Sequence, residues 1–507
     1  MKLIYSLSLL ILLSAALPVW ADHQLCDHPR ILINKELLPV LAERARGTGI
    51  PADDYASIKA EADRMVAEGT FRNIANKYLR PTGIFCTALA YLVERELGNE
   101  QADSYAEAVK KLWGNGLQLS NLGSGHFGSY AICYDWIYDY LTPEERTKFG
   151  NYLAVWLSHY TSTPEIILKW GHFLYNQTWG PMHLSTPHCR DGITPKLFVA
   201  LALSGAGTSK EDACKRNLDS FAARIPADCI PLFDIMGGVW SESMGHGGYG
   251  PNSVIPWAFE AWRTATGENY FTLGSPTSFV REMNMWGVHT TVPFSGRTAY
   301  IDDNISGNLL TEEWCMLGGI LGARYNDPVA NYISASYDAG AWPDNMWKVP
   351  WMRFIIYDPD LPSKSPGRAG LPFARLFTGA GHVYMRSAWD DPDATWAFLG
   401  AGPKFAGHSR DDEGHFMIAK KGWLILRAGG KGGNNDDYYA KGSINFNMAT
   451  IFDPNENFNH ISPSGSYLTG GGTKRERDGG IIRADPIIRN DDPRENIEKL
   501  DLKHRGY

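Results

Sequence analysis

At 507 residues the chain exceeds the roughly 250–300 residues that one hydrophobic core organises, so two domains are expected. A formal charge of −8 argues against nucleic acid as the partner, and any anionic ligand would have to be held by a local basic cleft. Seven cysteines without a CxxC pair are too sparse for a disulfide scaffold or a cysteine zinc site; one or two bridges are expected in an oxidising compartment, Cys214 with Cys229 being the closest pair, with an odd thiol left over.

Residues 1–21 combine an early lysine, a short apolar run and small residues around Ala21, the pattern of a cleavable secretory signal peptide. No later stretch offers about twenty uninterrupted apolar residues, so no membrane span is expected and the product should be periplasmic or secreted. From about 35 to 335 the apolar residues recur at helical spacing. Residues 101–113 align Tyr105, Ala108, Val109, Leu112 and Trp113 on one stripe. At 142–160, Thr142 reads as an N-cap, Pro143 as the first helical residue and Glu145 as the partner that completes a capping box. Phe149, Tyr152, Leu153, Trp156, Leu157 and Tyr160 form the expected buried face of that helix. Further helices are predicted near 53–68, 83–97, 127–140, 191–204, 210–224, 251–266 and 310–322, the 251–266 segment ending at Gly267. Many helices of similar length with aromatic faces suggest an incomplete (α/α) toroid over 22–357. The 17 Trp and 24 Tyr serve either as its core or as platforms for sugar rings.

Residues 358–372, dense in Pro, Gly and Ser, read as a linker. Beyond it, GHVYMRSAW, TWAFLGAG, HFMIAKKGWLILRAGG and INFNMATIFDP are short β-rich runs divided by turn residues, which predicts an antiparallel β-sandwich over 373–507. The tail from about 463 is poor in apolar residues, so it is either loop or a sandwich whose last strands are missing. The fold class expected is therefore α+β multidomain, helices first.

Four stretches concentrate groups able to do chemistry. The loop 170–192 carries His172, Asn176, Trp179, His183 and His188; 237–250 sets Glu242, His246 and Tyr249 among six glycines. Residues 407–416 read GHSRDDEGHF, and 427–447 carry two lysines, several amides, Tyr438 and Tyr439. Each can be an ordinary glycine-relaxed connection with hydrogen-bonded histidines, but their recurrence in both domains points to a cleft between them. His408, Asp412 and His415 could in principle ligate zinc. On a strand, however, 408 and 412 would share one face and 415 the other, and Arg410 would add a cation beside His408.

HSRDDEGHF with the following KGWLI resembles the β-domain signature of heparinase II/III-like polysaccharide lyases. HPRILINKELLPVLAERARG at 28–47 is similar to the start of that family, and 237–267 resembles its Glu- and Tyr-bearing loop leading into a toroid helix. The resemblance implies a toroid followed by a β-sandwich, with β-elimination of a uronate polysaccharide at their interface. It assigns Tyr249 as the catalytic tyrosine and His408 as the β-domain histidine, with Asn176 or His188 as carboxylate-neutralising and second-base groups. His246 stands where an aromatic can occur, so its role and that of Tyr249 are interchangeable. Glu242, Arg410, His183 and Trp179 are the expected substrate-binding residues. Relatives with a structural zinc have His, Asp and His where this chain has Arg410, Arg427 and Phe446, so no metal or other cofactor is expected. The implied partner is an acidic polysaccharide; nothing in the residues sets an oligomeric state. A C5 uronate epimerase would share the proton abstraction, a glycoside hydrolase would need paired carboxylates such as Glu242 and Asp412, and a glycan-binding protein would need no turnover.

Overall fold

A computed structural model of the chain describes residues 24–69, 82–114, 124–159, 189–239, 251–299, 312–336, 351–401, 414–427 and 446–449. The helices form where the apolar spacing requires them. Helix Pro143–His159 begins at the expected capping box: the Thr142 amide donates to Glu145 Oε2 at 3.0 Å and the Glu145 amide to Thr142 Oγ1 at 3.3 Å. Helix Pro251–Thr266 stops at Gly267, whose φ of +81° suits glycine.

Among the described residues, seven helices close a ring. Ile50–Glu68 packs on Thr82–Glu96, which packs on Ser124–Trp136; Cys189–Leu203, Pro251–Thr266, Glu312–Tyr325 and Trp351–Ile356 follow in chain order, and the last lies against the first. Closure is electrostatic as well as apolar. Arg353 forms a bidentate pair with Asp54 at 2.5 and 2.7 Å, both side chains buried, while Arg44 donates to the carbonyls of Phe354 and Ile355. The segment after residue 24 is tied in through Asp135, which accepts from the amides of Arg30 and Ile31 and contacts His28 Nδ1 at 2.6 Å. Trp136, Trp262, Trp286, Trp351 and Trp396 are among the largest fully buried side chains, which assigns these five tryptophans to the core.

The described residues of the second part form one five-stranded antiparallel sheet in chain order: β3 (Ala374–Phe377), β4 (His382–Arg386), β5 (Trp396–Gly400), β6 (His415–Ala419) and β7 (Trp423–Ile425). A two-stranded ribbon, β1 (Thr291–Val292) with β2 (Arg297–Thr298), precedes it. One face, with His382, Tyr384, Trp396, Phe398, His415, Met417 and Ala419, is buried. The opposite face exposes Leu376, Met385, Leu399, Phe416 and Leu424, an apolar surface of the kind a second sheet covers in a sandwich. The α+β class expected from the sequence, helices followed by an antiparallel sheet, is the one observed.

Three details differ from expectation. Tyr152, placed on the buried face of its helix, is exposed, because Phe149, Leu153 and Leu157 already fill the seam and position 152 lies beside that stripe. Cys214 keeps a free, buried thiol, pushed up to about 12 by burial, so the Cys214–Cys229 bridge does not form. Strand β3 lies in a run, ARLF, that carries no turn-bounded alternation and gains its place by pairing with β4. Among the described residues no helix is long and apolar enough to cross a membrane.

Removing one partner of a buried ion pair strands the other. Asp54→Ala should lower the unfolding free energy by about 3–5 kcal/mol, read from denaturant unfolding; a loss below about 1 kcal/mol would contradict ring closure through this pair.

Candidate active site

The sheet is fastened to the helical body at one helix end. At the end of helix Phe279–Thr290 the Arg386 guanidinium donates to three carbonyls, those of Val288 (3.3 Å), His289 (3.2 Å) and Thr291 (2.9 Å), the first of which also accepts from the Thr291 amide. Arg386 also lies 3.7 Å above the Trp389 ring. Burial pushes its pKa down to about 10, which leaves it charged at neutral pH. Trp396 Nε1 donates to the His289 carbonyl at 2.9 Å and Trp286 Nε1 to the Tyr384 hydroxyl at 3.1 Å. Glu282 on the same helix is ion-paired with Arg375 of β3.

The end of the sheet nearest residues 378–381 adjoins the start of the 237–250 stretch and both flanks of residues 402–413. The β3–β4 turn there abuts the end of helix Ile230–Met236 so closely that a Cβ on Gly379 would fall inside the carbonyl oxygens of Ile235 and Met236. Gly237 (φ +60°) and Gly238 (φ +94°) meet the same turn; a Cβ on Gly238 would lie 2.6 Å from Glu282 Cβ and 3.1 Å from the Phe377 ring. From these two glycines the chain enters the stretch containing Glu242, His246 and Tyr249. The Ala401 amide donates to the Gly381 carbonyl at 3.0 Å and the Gly414 amide to the Gly400 carbonyl at 2.6 Å. Residues 402–413, with His408 and Arg410, therefore leave and rejoin the sheet at this same end.

On the buried face, His382, Gly400 and His415 are register partners across β4, β5 and β6. Gly400 has no side chain, and Phe398 fills the space between the two histidines, its ring centroid 5.1 Å from His382 and 6.2 Å from His415. The Asn447 amide donates to His415 Nδ1 at 3.1 Å, while Phe446 stands edge-on at 5.1 Å. His415 is 1% exposed; burial, and then the Arg427 charge, depress its pKa to about 4. The proton therefore belongs on Nε2, an assignment made from the bond that Nδ1 accepts. That Nε2 is buried and has no hydrogen-bond partner.

All nine site residues expected from the sequence, Tyr249, His408, His188, Asn176, His246, Glu242, Arg410, His183 and Trp179, lie outside the described residues. What the structure brings together is their flanks: Gly238 and Phe377, Gly381 and Ala401, Gly400 and Gly414. The loop 170–192 leads into helix Cys189–Leu203, which packs along Pro251–Thr266, the helix entered from the Tyr249 stretch. The zinc set of the resembled family can be tested at two of its three positions. Arg427 contributes a cation and Phe446 a hydrocarbon ring, and the neighbouring His415 Nδ1 already accepts from Asn447, so these residues do not fit a metal. Among the described residues no group of three His, Cys, Asp or Glu side chains is placed to hold one.

His382, Tyr384 and His289 were not singled out by sequence. A signal existed for the first: β4 and β6 both open on Gly-His followed by alternating apolar residues, GHVYM and GHFMI. His289 is fully buried between the Phe377 and Trp389 rings, with its pKa pushed down to about 3 by burial and by Arg386 and Arg375.

Both buried histidines have folded pKa values below the ordinary 6.5, so protonation favours the unfolded chain. Their stabilising contribution is complete above about pH 6.5 and is lost as the pH falls towards 4, by about 1.4 kcal/mol per pH unit for each histidine. His289→Phe should flatten the acid limb of stability against pH by about one proton, measured by denaturant midpoints between neutral pH and pH 4.5. An unaltered slope would contradict a neutral buried His289.

No family model matches the chain, and no curated protein matches it. Solved structures similar to it include the heparan sulfate lyase HepC from Pedobacter heparinus: a mutant form at 15% identity and TM-score 0.39, and a second structure at 15% and 0.36, each overlap covering 78% of this chain and 61% of that one. A heparinase III with methylated lysines matches at 14% identity and TM-score 0.40, covering 85% of this chain and 63% of its own. The chain thus spans about three fifths of the length of the solved structures to which it is similar.

Proposed function

We propose that the protein is an exported lyase that cleaves an acidic, uronate-containing polysaccharide by β-elimination, without a metal. The observation that carries this reading is the convergence of two motif flanks on one sheet end. The stretch bearing Tyr249 starts from Gly238 against Phe377, and the stretch bearing His408 starts and finishes on the hydrogen bonds of Ala401 and Gly414. Supporting it are the order of the family-like motifs along the chain and the signal-peptide pattern of residues 1–21.

The chemistry explains the residue types. A C5 proton beside a carboxylate is only weakly acidic, so the carboxylate's charge must first be met by donors, the part given to Asn176 or His188. Tyr249, with a phenol near pKa 10 in water, becomes a usable base when cations such as a protonated histidine or Arg410 lie near it. It removes the C5 proton; Tyr249 or His408 then delivers a proton to the departing O4, and a C4–C5 double bond remains. Arg410, His183, His246, Glu242 and Trp179 are assigned to hold the sugar chain.

The test is the ultraviolet absorbance of the unsaturated uronate during incubation with a panel of acidic polysaccharides. The wild-type protein should generate it on at least one of them, with or without chelator, and Tyr249→Phe should reduce the rate by about 100-fold or more while substrate binding persists. Turnover that survives in Tyr249→Phe would overturn the assignment, and silence across the panel would overturn the lyase reading.

A further inference from the structure

Residues 378–381, the turn between β3 and β4, touch flanks of two chemistry-bearing stretches. On one side Gly379 lies against the end of helix Ile230–Met236: a Cβ there would stand 2.1 and 2.2 Å from the carbonyl oxygens of Ile235 and Met236. Gly237 faces it across the contact, where a Cβ would stand 3.1 Å from the Gly379 amide nitrogen. On the other side the Gly381 carbonyl accepts from the Ala401 amide at 3.0 Å, the bond from which residues 402–413 depart. The turn therefore bridges the start of the stretch that carries Tyr249 and the start of the stretch that carries His408. It has little room to yield. Strand β3 is anchored by the Arg375–Glu282 ion pair, and Gly238 lies against both Glu282 Cβ and the Phe377 ring. The atoms that a side chain at 379 would strike are backbone, which cannot rotate aside. Gly379 lies outside the left-handed region, so contact alone excludes a side chain there.

We propose that Gly379 is a positioning residue of the eliminating site: its bare Cα lets the turn seat on the helix end and so fixes the spacing between the tyrosine-bearing and histidine-bearing stretches. The assignment rests on reading those stretches as the reacting ones, and it adds a residue that touches neither sugar nor proton. Groups on separate stretches act on one sugar ring only if their starts keep a set distance, and a misplacement of about 1 Å can lower a rate by about 100-fold. Relieving a 2.1 Å contact to the 3.0 Å that real Cβ atoms keep displaces the turn by about that much.

Three variants separate spacing from stability. Gly379→Ala imposes the full displacement, and Gly237→Ala a smaller one at the same contact. Gly267→Ala is the control: Gly267 also ends a helix at positive φ, +81° against +60° for Gly237, but a Cβ on it would meet nothing within 4 Å. On a polymer that the wild type cleaves, and below each variant's unfolding transition, Gly379→Ala should lower kcat by about 10- to 100-fold with KM within about threefold of wild type. Gly237→Ala should lower kcat by about three- to tenfold and Gly267→Ala should leave it unchanged, so Gly237→Ala decides if Gly379→Ala does not fold. Amide hydrogen exchange of the full chain reads the turn without turnover. The Ala401 amide should exchange several-fold faster in Gly237→Ala and Gly379→Ala, and at the wild-type rate in Gly267→Ala. An Ala401 amide unmoved by either turn variant, or a kcat for Gly237→Ala equal to that for Gly267→Ala, would each overturn the proposal. A faster Ala401 amide in a protein whose wild type cleaves nothing would keep the bridge and discard the lyase; absence of both effects would discard both.

Discussion

The sheet is held to the helical body by the capping of one helix with one arginine. At the end of helix Phe279–Thr290, Arg386, reaching in from β4, donates to the carbonyls of Val288, His289 and Thr291. A guanidinium can do this because its Nη2 converges on the three oxygens and its charge is met by a helix C-terminus, the negative end of the dipole. Trp286 with Tyr384 and Trp396 with His289 then fix the rotation of the sheet. Without that attachment, no feature of the helices alone would set where the loops from the sheet begin.

Close approach follows from the same attachment. The β3–β4 turn can contact the end of helix Ile230–Met236 only because residues 237, 238 and 379 have no side chain. These glycines therefore answer a packing demand, whereas the later ones in the same stretch lie outside the described residues. The result is a sheet end on which backbone hydrogen bonds from 381, 400, 401 and 414 lie next to the start of the tyrosine-bearing stretch. His382 and His415 line the buried face at that end.

Much of the helical part was legible in the residues. The capping box at Thr142 and Glu145 and the stop at Gly267 are local devices, each decided within about four residues, and local devices can be read from sequence. Tyr152 was not legible, because which edge of an apolar stripe faces water depends on neighbours distant in sequence. The same holds for β3, which exists through its register with β4, and for Cys214, whose chain proximity to Cys229 did not lead to a bridge. At the site, the stretches around Tyr249 and His408 stood out by composition, while His289 and Tyr384 did not. A histidine within a helix and a tyrosine within a strand carry no local mark, and their importance comes from the seam they share.

Isotope tracing of the products tests the proposed elimination directly. Digestion of a susceptible acidic polysaccharide in water enriched in heavy oxygen, followed by mass spectrometry, reports whether water enters the broken bond. Elimination predicts no heavy oxygen fixed at the cleavage point and a new non-reducing end lighter by one water. Stable incorporation of one heavy oxygen per cut, with both ends saturated, would mean hydrolysis by paired carboxylates and would contradict the account.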